Sequence, residues 1–327
     1  GQSCRCRAVR DDRGMRAVTI IDGDLQWTEH PDPAPGNGEV LVAVRAAGLN
    51  GGDLLQLAGH YPAPVGSPVD IPGLELAGEV VALGPGATRY SVGDRVMAVV
   101  GGGGQAELAV VHERCALPVP DSIDWPQAGG FPEAFTTAHD AVFTQARLGL
   151  GEALCVHGAA GGVGVAAVQL GVAAGARVTA TVRNPDLRSK VADLGAIVVE
   201  PEGFGAHGPF DVILELIGGP NLRDDIRSLA TGGRISVIGV GGGPKAELSL
   251  LDLMSVRGRI HGSTLRARPL EEKAAAAAAV QRHVLPLVAS GAVHVPVAAT
   301  FPMSEAVIAY ERFRAGGKFG KVVFVAD

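Results

Sequence analysis

The run His157-Gly158-Ala159-Ala160-Gly161-Gly162-Val163-Gly164 puts four glycines in eight positions, between an apolar stretch that reads as a strand and one that reads as a helix. That context is the one a dinucleotide-binding turn requires. Gly161 lets the backbone come close to a pyrophosphate, Gly164 permits tight packing of helix on strand, and the free amides of the helix N-terminus meet the phosphate charge. Ala160, Gly161, Gly162, Val163 and Gly164 are therefore candidate cofactor-binding residues; the competing reading is a tight turn with no ligand. About twenty residues on, an acid would hold the ribose 2′-hydroxyl of NAD, whereas an arginine accommodates a 2′-phosphate. Here the second strand ends in Thr181-Val182-Arg183-Asn184, with no acid until Asp186. Arg183 favours NADPH, unless it is an ordinary solvated arginine.

Metal chemistry finds little support. The four cysteines, Cys4, Cys6, Cys115 and Cys155, include no Cys-x-x-Cys pair, and the nine histidines form no metal-spaced cluster. Neither a disulfide framework nor a structural zinc site is readable, and a reducing cytoplasm is the plain inference. Cys155 reads as a buried core residue, and His60 as solvent-facing, although it could hydrogen-bond a substrate oxygen.

The elements that must position these residues come in two kinds. From Met15 to about Pro120 short apolar runs (RAVTI, EVLVAVRAAGL, AGEVVAL, DRVMAVV, AELAVV) alternate with Gly/Pro punctuation, as in a compact β-barrel. Beyond Asp124, strand and helix alternate, which predicts a doubly wound parallel sheet. After Val295 the chain turns β-like again, so the β unit is completed by the C-terminus. The α/β assignment is thus a β-barrel domain over 15–138 and 293–327, with a nucleotide-binding domain over 139–292. Residues 1–14 read as a tag remnant or upstream extension without the apolar core of a secretory signal.

Bulk composition narrows the partners. Of 327 residues 19% are charged and 47% hydrophobic, with a net charge of −6, so neither a disordered chain nor a nucleic-acid surface is indicated. Ala153 to Ala176 carries no charge and is long enough to span a bilayer, but its glycines, His157 and Gln169 argue for a strand, turn and helix inside a folded domain.

Taken together, AAGLNGGDLLQLAGHYP, IPGLELAGEVVALG, GGGGQAELAVV, FPEAFTTAHDAVF, VHGAAGGVG, GSTLRARP and GGKFGKVVF resemble, in order and over nearly the whole chain, the medium-chain dehydrogenase/reductase superfamily. Within it they resemble the zinc-free quinone oxidoreductase branch of the p53-inducible type. The resemblance implies a GroES-like β domain joined to a Rossmann domain, a homodimer paired through the last strand of the Rossmann sheet, and hydride transfer from NADPH to a small-molecule quinone or enone. Zinc members carry a cysteine and a histidine where this chain has Asn50 and Leu74, and neither of these donates to Zn²⁺ as thiolate and imidazole do. The family places Tyr61 beside the nicotinamide, where it could stack on a flat substrate or donate to an oxyanion. Asn50 and Asp53 would shape the same pocket as catalytic-site residues, or hold a turn, and Glu75 would brace an arginine. Thr137, Gly218, Gly239, Arg266 and Lys318 complete the implied cofactor contacts, with Arg266 and Arg268 alternatively read as solvated charges. Three departures, Ala160 for serine, Arg183 for a small residue and Lys318 for Asn or His, bear on cofactor preference. Two other functions fit the same pattern: an enoyl thioester reductase, and a nucleotide-binding protein used for its surface.

Overall fold

A computed structural model describes residues 14–327. The extension assigned to 1–14, apart from Gly14, lies outside the described residues, as do Cys4 and Cys6.

Two sheets carry the molecule. A six-stranded parallel sheet runs in the order Ile197–Val199, Arg177–Thr181, Ala153–Val156, Phe210–Glu215, Leu229–Val237, Arg259–Gly262. Numbered along the chain this is 3-2-1-4-5-6, the doubly wound order with its switch point beside the first strand. Every residue of Ala153–Val156 is buried, as befits a central strand covered on both faces. The helix Gly162–Ala173 is apolar nearly all round, because it lies between that sheet and the helix Pro132–His139.

A seven-stranded sheet forms the barrel unit: Val297–Pro302, Lys321–Val325, Glu39–Gly48, Glu75–Leu83, Arg95–Val99 and Ala116–Pro118 follow one another, and Leu108–His112 also pairs with Glu39–Gly48. Along Glu39–Gly48 partly exposed and buried residues alternate, the period of a strand with one face on a core. The last strand joins it antiparallel, with Val323 opposite Gly48 and Phe324 opposite Ala47. The hairpin Met15–Ile21/Asp24–His30 forms a separate two-stranded sheet that docks on the barrel through an Ala17–Ala106 bridge. No helix among the described residues is long and apolar enough to cross a membrane.

The chain just before Lys321–Val325 ties the units together. Gly320 forms a bridge with Gly161, and its N–H donates to the Ala160 carbonyl at 3.0 Å. The barrel's final strand therefore starts against the glycine turn of the parallel sheet.

Candidate active site

Where the two units meet, a pocket of about 90 Å³ is lined by Tyr61, Glu133, Thr137, Asp140, Ile238, Ser263, Thr264 and Leu265. Each of these follows from a local element. Glu133 and Thr137 share one face of Pro132–His139, and Asp140 opens the wider-wound turn that continues it, with Ala146 N–H bonding back five residues to Ala141. Ile238 and Ser263 directly follow adjacent parallel strands, at the carboxyl edge where such sheets bind ligands.

Tyr61 is held from behind. Arg266, 3% exposed, donates to the carbonyls of Gly101 (2.7 Å) and Tyr61 (2.8 Å) and to Gln56 Oε1, and its guanidinium lies 4.8 Å from the Tyr61 ring centroid. The reading of Arg266 as a solvated charge is thereby overturned; it is a brace for the Tyr61 loop. Arg268 is likewise no free charge, since it grips Asp140 with two nitrogens at 3.0 and 2.6 Å. Burial, then the neighbouring Glu133, raises the Tyr61 phenol above its ordinary value.

Behind the pocket lies a polar network that sequence reasoning resolved only in part. Lys321, 3% exposed, places its Nζ 2.6 Å from Glu75 Oε1, 2.6 Å from Asn50 Oδ1 and 3.0 Å from the Leu49 carbonyl. Asn50 Nδ2 also donates to Glu75 Oε1 at 2.9 Å, and the Glu133 N–H donates to Glu75 Oε2 at 2.8 Å. The partner of Glu75 is therefore Lys321 and not an arginine, because strand Lys321–Val325 runs beside the Glu39–Gly48 strand that Glu75–Leu83 flanks on its other side. Lys321 and Glu133 were missed. A lysine opening an otherwise apolar strand, KVVFV, was the available signal.

Asp53 is fully buried, and its two oxygens accept from the N–H groups of Asn50 (2.8 Å) and Gly73 (3.1 Å). It holds the turn and does not face the pocket, which corrects its placing among residues that act on substrate. Burial pushes its carboxyl up to about 7, against the pull of those two donors. Leu74, 3% exposed, packs where a Cβ on Gly52 would come within 2.6 Å of its Cδ1 and 3.2 Å of Tyr61 Cε1. With Leu74 apolar and both ends of the Asn50 amide already bonded, these two positions offer no metal ligand.

The glycine turn separates into two kinds of position. A Cβ on Gly164 would lie 2.5 Å from the Gly158 carbonyl oxygen, so glycine is required there by packing. On Gly161 it would meet nothing nearer than 3.6 Å, so the protein's own packing does not demand glycine; a closely approaching phosphate would. Gly162 lies against the Lys321 stem, and Val163 and Gly164 follow in the first turn of the helix. Gly239 and Gly218 sit at backbone contacts of 2.5 Å to Leu216 O and 2.6 Å to Gly243 O for a would-be Cβ. Arg183 is exposed just past Arg177–Thr181, and Gly317 approaches Asn184, which brings the loop bearing Lys318 to the same end of the sheet. Lys318 itself lies 3.8 Å over the Phe313 ring and donates to the Phe313 carbonyl.

Beneath the turn, His157 is buried between Asp225 Oδ1 (2.8 Å) and Thr181 Oγ1 (3.1 Å), with Glu215 Oε2 at 4.0 Å. Burial disfavours its cation, but the bond to Asp225 and the nearby Cys155 outweigh this and hold it at about 10. Among the described residues, His157, Glu215 and Asp225 form the group of three donors close enough to share an ion. Both imidazole nitrogens are already committed, so the group acts as a charge-paired strut. Cys155 is buried as read, and His60 is exposed.

A larger cleft, about 880 Å³, opens on the barrel side of the Tyr61 loop, with Pro64, Val65, Ser67, Cys115, Arg268 and Lys273 among its lining. Size favours it as a binding space, but the convergent polar groups are in the small pocket. The Arg268–Asp140 pair joins the two, since Arg268 lines one and Asp140 the other.

Residues 36–121 match the alcohol dehydrogenase GroES-like domain and residues 196–324 the zinc-binding dehydrogenase family. The chain is 30% identical over 305 residues to a quinone oxidoreductase of Rattus norvegicus, covering 90% of this chain and 91% of that one. It is 39% identical over 220 residues to polyketide synthase GfsB of Streptomyces halstedii, which spans 66% of this chain but 4% of the synthase. Among solved structures, mycobacterial Rv1454c complexed with NADPH superposes with a TM-score of 0.83 at 26% identity, covering 95% of this chain and all 100% of that one. An NAD-dependent alcohol dehydrogenase superposes at 0.84 and 26%, covering 96% and 100%.

Proposed function

The chain belongs to the medium-chain dehydrogenase/reductase superfamily, and from that premise we propose that it is a zinc-free reductase that uses NADPH to reduce a quinone or a related conjugated carbonyl. The observation that carries the reading is the pocket itself: a tyrosine, two carboxyl residues and two threonines converge at the carboxyl edge of the parallel sheet, and the family resemblance implies that Asn50 and Leu74 stand where metal-binding members keep their donors. Bound NADPH would supply a hydride. Gly161, Gly162, Val163 and the first-turn amides of the following helix would hold its pyrophosphate, Arg183 and Lys318 its 2′-phosphate, and Thr137 and Gly239 would lie along its path toward the pocket.

Tyr61, braced by Arg266, stacks on a flat acceptor. A quinone is intrinsically easy to reduce, so no Lewis acid is needed. Similarity over 90% of the chain to a quinone oxidoreductase favours this acceptor. The similarity to a polyketide synthase favours a second reading, an enoyl thioester reductase. Oxidation of NADPH and NADH, followed with a quinone and with a 2-enoyl thioester, tests both. Turnover with neither would leave a nucleotide-binding protein without reductase activity. EDTA should leave turnover and Tm unchanged, whereas stoichiometric zinc by metal analysis would contradict the proposal.

A further inference from the structure

We propose that Glu133 is the general acid of this pocket, delivering the proton that completes reduction of the acceptor. The inference rests on the reductase reading above and adds a catalytic residue to it. Three carboxyl groups cluster behind Tyr61, and the structure gives each a different occupation. Glu75 is paired with Lys321 and accepts from Asn50 and from the Glu133 N–H. Asp53 has both oxygens committed to backbone N–H groups. The Glu133 carboxyl lines the pocket, and among the described residues its side chain has one hydrogen bond, a long one of 3.4 Å from Thr137 Oγ1.

The nearby cation does not neutralise it. An ammonium has three donors, and those of Lys321 are engaged by Glu75 Oε1, Asn50 Oδ1 and the Leu49 carbonyl. Arg266 is directed at Gly101, Tyr61 and Gln56, and Arg268 at Asp140. Glu133 is therefore left facing Glu75, Asp53, Tyr61 and Asp140 with no cation of its own, and a carboxyl so placed keeps its proton. Burial first, then Glu75, pushes it up to about 8. Tyr61, the phenol among the hydroxyls of the pocket, is raised above an already high phenol value and is the poorer acid near neutrality.

The step balances. The acceptor takes a hydride, two electrons and one proton, from the reduced dinucleotide, which is oxidised; the resulting negative charge lies on the acceptor's oxygen or α-carbon. The Glu133 O–H bond breaks as a new O–H or C–H bond forms there, and the carboxylate is reprotonated from solvent. A hydroquinone anion can take its proton from water, whereas the α-carbon of an enone needs a placed donor. Dependence on Glu133 should thus be larger for an enone than for a quinone.

The test combines kinetics with a measurement that needs no cofactor. In protein labelled with ¹³C at the glutamate carboxyls, the resonance missing from Glu133→Gln should titrate near 8 in the free protein. With an enone, Glu133→Gln should lower kcat by about 10²-fold, as loss of a general acid does, and abolish the fall in kcat as pH rises through about 8. NADPH affinity and Tm of the variant report whether it folds. Titration of Glu133 below 5, or an enone rate and pH profile unchanged in the variant, overturns the proposal while the wild-type enzyme still turns over. Failure of the wild type with every acceptor overturns the reductase reading and this role with it.

Discussion

At the scale of single residues, Tyr61 and Arg183 separate substrate chemistry from cofactor choice. On the reading proposed above, with Glu133 in the same pocket and a quinone as acceptor, the Tyr61 hydroxyl should carry little of the barrier. Tyr61→Phe should cost less than about tenfold in kcat with quinones, well under the ~10²-fold of a single oxyanion donor. Tyr61→Ala removes the stacking surface and should raise KM, the signature of lost uniform binding. A several-hundredfold fall in kcat for Tyr61→Phe would instead make the phenol the proton donor. Arg183 stands exposed at the end of its strand, with its backbone carbonyl accepting from Arg188. A charge-assisted bond to a 2′-phosphate contributes about 1.5–3 kcal/mol. Arg183→Glu should therefore weaken NADPH binding by roughly 10- to 150-fold and leave NADH unchanged or tighter, measured by fluorescence titration. Equal loss of both cofactors would assign Arg183 to folding.

At the scale of elements, the glycine turn yields a prediction that splits stability from binding. Gly164→Ala forces a methyl against the Gly158 carbonyl and the Ala159 backbone; such overpacking costs about 1–3 kcal/mol, visible as a lower midpoint in urea. Gly161→Ala meets nothing nearer than the Gly158 carbonyl oxygen at 3.6 Å and has an ordinary φ of −77°, so stability should hold while NADPH affinity falls. Unchanged affinity in Gly161→Ala would mean that no phosphate approaches there. This turn was legible in the sequence because its signals are local: an apolar strand, glycines at fixed offsets, an apolar helix. Most strands of both sheets were legible for the same reason, though not the three-residue Ala116–Pro118. Less so were Asp24–His30, whose polar residues hide a strand that pairs only with its hairpin partner, and Leu250–Ser255, a helix with no buried residue. After Asn184, Pro185 opens a tight turn and only Arg188–Ala192 winds as α-helix. The Lys321–Glu75–Asn50 network stayed hidden because its members are separated by up to 271 residues and meet only when the last strand docks on the barrel.

At the scale of the whole molecule, Arg259–Gly262 ends the parallel sheet and, among the described residues, pairs on one side only, with Leu229–Val237. An uncovered edge is a template for pairing with another chain. Its surroundings are apolar as well: Leu250, Leu251 and Met254 on the preceding helix are 68%, 74% and 70% exposed, and Val240, beyond the neighbouring strand, is 45% exposed. Scattered exposed apolar residues need no explanation, but two leucines and a methionine on one six-residue helix beside the last strand of the sheet suit a surface that a partner would cover. A second copy of the same edge, meeting it antiparallel across a two-fold axis, would bury both ladders and both helices by one contact. Light scattering at micromolar concentration should accordingly give twice the chain mass of 33.3 kDa. Leu251→Arg and Met254→Arg together should shift the protein to monomer, and because both side chains point outward, secondary structure by circular dichroism should be retained. A wild-type monomer at that concentration, or a double variant that remains dimeric, would place the contact elsewhere or remove it.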